Sequence, residues 1–190
     1  MNIGRSALLL AFLSCLARAQ DPEASSLGLQ VRASLPEAGL AEVVGSSGIK
    51  PPGLGASLVV EVDLTEGYRV RGVMGGDRWD TGDWSARPGI EGNVSDFHLG
   101  LEGVMMLRPD ESPSWGPYIV GGIAGYTWSV GSHDKVSGVS TTRRILHVAG
   151  TFGIGFRLAK SLDIELRGLG GRIDPDLFAA AVQLGVTYRY

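Results

Sequence analysis

Cysteine is almost missing from this chain. Its one copy, Cys15, lies in an N-terminal stretch that reads as a leader, so the remainder has none and cannot depend on disulfides. Long apolar runs are missing as well. Beyond the leader nothing approaches the roughly 20 residues that a membrane-spanning helix needs. There is no basic surplus: 17 Lys+Arg stand against 20 Asp+Glu, which argues against a nucleic-acid partner. Lysine is scarce, with only Lys50, Lys135 and Lys160, so arginine carries most of the positive charge. Glycine, by contrast, is plentiful at 29 residues, well above the usual ~7%.

Met1–Ala19 has the three parts of a secretory signal peptide. Arg5 is the basic start, residues 7–16 form the apolar centre, and Ala17-Arg18-Ala19 is a small-x-small cleavage site. Phe12-Leu13-Ser14-Cys15 is a poor lipobox, because phenylalanine stands where a small aliphatic residue is expected. Cleavage would remove Arg5 and Arg18, leaving 15 basic against 20 acidic residues, a formal charge of −5. Residues 20–190 are the size of one domain.

The mature segment alternates apolar and polar residues at period two, the signature of strands with one greasy and one polar face. Eight such segments are predicted: 26–35, 54–64, 68–74, 94–107, 117–130, 145–158, 162–169 and 177–190. Most are near the ~9–11 residues of a tilted membrane strand. Connections after the first, third and fifth are long, and those after the second and sixth are short. The predicted lipid-facing wall includes Leu58, Val60, Leu101, Ile154 and Leu166. The fifth segment is apolar on both faces. Tyr118, Val120, Ala124, Tyr126 and Trp128 are taken as outward, which turns Ile119 and Ile123 inward. Tyr68, Tyr118, Phe156, Tyr188 and Tyr190 then fall at one end of the strands, and Phe97, Tyr126, Trp128 and Phe178 at the other, as two girdles.

The last eight residues, 183–190, place Leu184, Val186, Tyr188 and Tyr190 opposite Gln183, Gly185, Thr187 and Arg189. The order Gln183, Gly185, Tyr188, Tyr190 resembles the C-terminal assembly signal of bacterial outer-membrane β-barrels. Over the whole mature sequence the chain resembles the small OmpA/OmpX-type outer-membrane β-barrel superfamily. That resemblance implies an all-β fold, an eight-stranded antiparallel up-and-down transmembrane β-barrel, occupying residues 20–190 of a bacterial outer-membrane protein. It also implies outer-membrane lipid and the β-barrel assembly machinery as partners, and a monomer.

An eight-stranded barrel has room inside only for its own side chains. The polar faces collect Arg32, Arg69, Arg71, Arg157, Arg167 and Arg189 with Glu61, Asp63, Asp96, Glu102, Asp163 and Glu165. Arginine's planar fork pairs well with carboxylates, and an unpaired buried charge is costly, so a closed lumen of paired charges is predicted. The alternatives are a narrow pore for small solutes, and a soluble periplasmic barrel whose apolar faces point inward around a small apolar ligand.

Signals for catalysis are thin. Asp96-Phe97-His98 is similar to the Asp-x-His half of omptin proteases, but Glu61-Val62-Asp63 falls at the opposite end of the strands. None of His98, His133 and His147 has the serine two residues later that lipid A deacylases use. His133-Asp134 has no further metal ligands nearby, and Gly153-Ile154-Gly155 is followed by no helix. A non-enzymatic protein without cofactor or metal is expected. Trp79, Asp80, Asp83 and Trp84 form an aromatic-acidic cluster in a predicted outer loop, read either as a contact surface or as a loop packing its own tryptophans.

Overall fold

The computed structural model describes residues 25–37, 40, 52–83, 90–108, 115–174 and 177–190. Residues 1–19, expected to be a leader, and Trp84 lie outside the described residues. Eight strands follow in order: β1 Ser25–Glu37, β2 Gly53–Thr65, β3 Tyr68–Asp83, β4 Ile90–Met106, β5 Gly116–Asp134, β6 Ser140–Ala159, β7 Leu162–Asp174 and β8 Leu177–Arg189. Each pairs antiparallel with the next, and β1 pairs with β8 from Gly28↔Arg189 to Glu37↔Ala180, closing the barrel. Closure removes the sheet edge through the body of the barrel, and beyond it residues 140–148 of β6 pair with β5 alone. Both described chain ends lie at one end of the barrel, here the terminal end. The tight β2–β3 turn is there too, with Gly67 at φ 78° supplying the left-handed residue.

Alternation decides the faces. Leu27, Leu29, Val31 and Leu35 of β1 point outward and are exposed, while Gln30, Arg32 and Ser34 are buried in the lumen. The same division holds on β7, where Ile164 and Leu166 face out and Asp163, Glu165 and Arg167 face in. The wall is therefore apolar and the interior polar. That arrangement is the inverse of the soluble-barrel alternative, which required apolar faces inside.

Three sequence expectations need correction. The loops expected over 75–93 and 131–144 are largely strand: β3 runs on to Asp83, β4 begins at Ile90, and β5–β6 extend to a turn at 135–139. Their glycines and polar residues have poor strand propensity, but ladder pairing with the neighbouring strands overrides it. The face of β5 is reversed. Tyr118, Val120, Ala124, Tyr126 and Trp128 are buried inside, and Ile123 is exposed outside, so Tyr118, Tyr126 and Trp128 belong to no girdle. Both faces of β5 are apolar, so hydropathy could not choose; lumen acids that accept from Tyr118 and glycines that leave room for rings do choose. Third, Val60 keeps outward parity between inward Val59 and Glu61 but is only 2% exposed. Leu58, Ile154 and Leu166 are exposed on the wall, and Leu101 is partly covered. Tyr68, Phe178, Tyr188 and Tyr190 are exposed at the strand ends, Phe97 is exposed midway along the lengthened β4 and not at its end, and Phe156, partly covered, meets Trp115 edge-on at 5.5 Å.

Candidate functional site

The interior is built in three tiers. Nearest the terminal end, Glu61 of β2 is the hub. Its Oε1 accepts from Arg69 at 3.0 Å and Arg157 at 2.8 Å, and its Oε2 accepts from Arg71 at 3.0 Å. Asp163 of β7 accepts from Arg157 Nε at 3.1 Å and pairs with Arg189. Glu165 accepts from Arg71, from the Tyr118 hydroxyl at 2.6 Å and from Gln30 Nε2 at 2.9 Å, and lies 2.7 Å from Arg167 Nε. Glu102 of β4 accepts from Arg167 and from the Thr151 hydroxyl. The Tyr118 ring has the guanidinium carbons of Arg71 and Arg157 each 5.9 Å from its centre. Asp63 sits at the mouth, its side chain half exposed, with Arg69 Nε 2.5 Å away.

The middle tier centres on Arg32. Its Nε and Nη2 donate to Asp77 at 2.8 and 2.9 Å, Nη1 donates to the Ser57 hydroxyl, and Nη2 lies 3.0 Å from His98 Nε2. Because a guanidinium only donates, His98 Nε2 is the acceptor and Nδ1 carries the proton. That proton is directed at Asp96 Oδ1, 2.7 Å away. Gln183 of β8 donates to Asp77 at 3.3 Å.

Aromatic rings close the far tier. His98 stacks obliquely on Tyr126 at 5.0 Å, Tyr126 on Trp128 at 5.7 Å, and Trp128 on Trp79 at 5.9 Å. Trp79 Nε1 donates to the Ser34 carbonyl at 3.0 Å. Val94, Ala124, Ala149, Leu169, Ala181 and Leu40 pack around this stack.

Two constellations in the middle tier resemble working sites. Ser57 Oγ lies 3.2 Å from His98 Nε2, which completes a Ser–His–Asp sequence with Asp96. Arg32, however, donates both to that hydroxyl and to that nitrogen, so the base has no lone pair left to take the serine proton. Ser57 is also buried. The second is Asp77, Asp96 and His98, which bring one ligand atom each within 4.8 Å of one another. Here the Arg32 guanidinium already occupies the position between Asp77 and His98 that a metal ion would take, so the group is held together by an organic cation. What the arrangement does chemically is fill and brace the lumen.

Eleven of the twelve charged residues expected inside lie within the lumen or at its lining; Asp63 lies at its rim. Asp96 finds His98 as its partner instead of an arginine. Sequence reasoning missed Asp77 and the four inward rings Trp79, Tyr118, Tyr126 and Trp128. Asp77 and Trp79 had a readable signal, because they continue the parity of Arg69 and Arg71 along β3; the glycines at 72, 75 and 76 masked it. In the terminal octet Gln183 and Gly185 face the lumen, while Tyr188 and Tyr190 face outward with their rings edge to face at 5.2 Å.

No family model matches this sequence, and no curated protein matches it. Solved structures do. The crystal structure of Ail, the attachment invasion locus protein of Yersinia pestis, superposes with a TM-score of 0.62 at 17% identity, covering 87% of this chain and 97% of that one. This chain has the fold of the small eight-stranded outer-membrane β-barrels. Neisserial surface protein A shares this barrel fold at a TM-score of 0.55 and 9% identity, over 87% of this chain and 97% of that one. A major outer membrane protein of Thermus thermophilus shares it at 0.54 and 13%, over 87% and 99%. Identities this low carry the barrel fold and nothing finer.

Proposed function

We propose that the mature chain is a non-enzymatic β-barrel of the bacterial outer membrane with a structural or surface-interaction role, its lumen closed by paired charges. The observation that carries this reading is the apolar outside and polar inside of a closed sheet. A closed barrel satisfies every backbone group internally and can sit in lipid; in water its wall would expose a continuous apolar band. Outer-membrane barrels keep short turns on the periplasmic side, so the terminal end is assigned there and the far end outside.

Two plugs of different chemistry support closure over the narrow-pore alternative: the arginine–carboxylate network below and the Trp79–Trp128–Tyr126 stack above. A surface role fits the β5–β6 hairpin, which carries Val136 and Val139 exposed at its tip. Ail and Neisserial surface protein A bear names of attachment and surface location; for this chain such a role is a proposal. Gln183, Gly185, Tyr188 and Tyr190 are assigned to recognition by the assembly machinery, and the barrel is assigned as a monomer.

The test is purified protein in planar bilayers, with unheated and boiled gel migration as the control for folding. Little or no steady conductance from heat-modifiable protein is expected. Large, stable channels would promote the pore, and a soluble periplasmic protein on fractionation would overturn the membrane reading.

A further inference from the structure

The β5–β6 hairpin carries a strand edge that no described residue pairs with. β6 joins β7 only from Ala149↔Gly171 onward, and above that point its one ladder is with β5. The turn sets the phase of that ladder: the Asp134 amide donates to the Val139 carbonyl at 3.0 Å. Residues of an antiparallel strand bond its two sides alternately. Thr141, Arg143, Ile145 and His147 therefore turn their peptide groups to β5, and Thr142, Arg144 and Leu146 turn theirs to the open side. Residues 140–144 are exposed on both faces, so the hairpin stands clear of the barrel here.

Open edges are usually blunted by proline, lysine or brevity. Residues 140–148 contain no proline, glycine, lysine or acid, and Thr141, Thr142, Ile145 and Val148 are β-branched, which favours a further strand. Arg143 is already engaged, so the free charge is that of Arg144, which is exposed and forms no ion pair with a described residue. The hairpin's one acid, Asp134, is taken by the Val136 and Ser137 amides. Leu146 lies level with exposed Phe97, and Thr142 level with Asn93 and Gly131. Side chains on the outward face of the edge thus pass from polar through cationic to apolar toward the wall. A second copy does not suit such an edge. Two upright copies in one membrane run their β6 strands in the same direction, which sets Arg144 beside Arg144, and like charges side by side are destabilising.

We infer that the open edge of β6 takes up an extended, acidic segment of another protein as an added strand. Main-chain bonds to Thr142, Arg144 and Leu146 supply the affinity, and side chains on alternate residues supply the choice of partner. In an antiparallel pair the incoming strand places an apolar side chain opposite Leu146 and, two residues later, a carboxylate opposite Arg144. That carboxylate meets a guanidinium whose planar fork is free. The inference deepens the surface-interaction role proposed above and rests on it.

Titration of detergent-refolded protein with a capped, fluorescent peptide, Thr-Val-Thr-Glu-Thr-Thr-Thr, tests it. Two further peptides serve as controls: one with lysine for glutamate, and one N-methylated on the valine, the glutamate and the threonine two after it, whose amides would face β6. The glutamate peptide should bind saturably and both controls should lose that binding. With it bound, amide exchange should slow at Thr142, Arg144 and Leu146 and stay unchanged at Thr141, Arg143 and Ile145. Arg144→Gln should weaken binding about fivefold. Thr142→Pro removes an open-side N–H without touching the β5 ladder and should abolish binding, while Lys160→Gln should leave it unchanged. Heat-modifiable migration confirms that each variant is folded, and the N-methylated peptide decides the matter should Thr142→Pro not fold. No saturable binding, equal binding of either control peptide, or slowed exchange without the alternation overturns the proposal. So does a dimer of the peptide-free protein by native mass spectrometry, which would make a second copy the occupant. Failure of the membrane reading is distinguishable, because the wild type would then not insert into phosphatidylcholine vesicles at all; protein that inserts normally and ignores the peptide sinks this inference alone.

Discussion

Tyr118 stands directly across the β5–β6 ladder from Gly155, and its ring fills the space that a Cβ at position 155 would take. The bare backbone there lets a large ring lie flat inside a narrow barrel and carry its hydroxyl to Glu165 and Asp163. Gly155→Ala is therefore expected to cost about 1–3 kcal/mol through overpacking. Gly121→Ala, on the outer wall, should stay within about 0.5 kcal/mol, because its Cβ would meet the Phe152 ring at 3.4 Å and the Thr151 carbonyl at 3.5 Å, both ordinary contacts. Urea unfolding of both variants in detergent measures the difference; equal midpoints would mean that the ring can move aside.

Glu61 gathers Arg69, Arg71 and Arg157 on two oxygens, with Arg189 3.8 Å away. Glu61→Gln keeps the volume and removes the charge, leaving buried arginines undercompensated. A loss of about 3–5 kcal/mol is expected, the usual cost of breaking a buried charge pair from one side. Asp63→Asn, at the half-exposed mouth, should be nearly neutral. A reversed order of the two in urea midpoint would relocate the hub.

Ile123 is exposed on the wall about midway between the Phe156 row and the Thr127 row. In a bilayer, Ile123→Arg should cost about 2–4 kcal/mol and Thr127→Arg about 0–1 kcal/mol. Folding yield into phosphatidylcholine vesicles reads both. Equal tolerance would place the wall in water.

Tyr190 lies at the terminal end, 76% exposed, beside Tyr188. Such a ring contributes interface anchoring, and the resemblance adds a role in assembly. Tyr190→Ala should lower outer-membrane insertion in cells while refolding of purified protein in detergent changes less. Normal cellular yield would remove the assembly role.

The β5–β6 hairpin carries its own pH dependence. Asp134 accepts from the Val136 amide at 2.8 Å and the Ser137 amide at 3.2 Å. The Ser137 hydroxyl first, then these amides, hold its carboxyl below the usual 3.8. A lowered carboxyl stabilises the turn fully above that ordinary value and ceases to do so as pH falls through the lower, folded one. Amide exchange at Val136 and Ser137 should accelerate, relative to the intrinsic rate, over that acid range. A pH-independent protection factor would show that the amides find another acceptor.

The strand number, the antiparallel order and most wall residues were legible in the sequence, because alternation at period two is a local property that each residue announces. Leu29, Val31, Ile164 and Leu166 read correctly for that reason. Where a strand is apolar on both faces, as β5 is, local pattern has nothing to say. Only the register of β5 against β6, which sets Tyr118 over Gly155, and the acids of β7 that bind its hydroxyl turned those rings inward. Where glycine interrupts the pattern, as along β3, propensity announces a loop, and only pairing with β2 and β4 carried the strand on to bring Asp77 to Arg32. The tiers of the lumen are likewise tertiary. Each joins residues far apart in the chain, whose contact depends on how eight strands are staggered around one closed sheet.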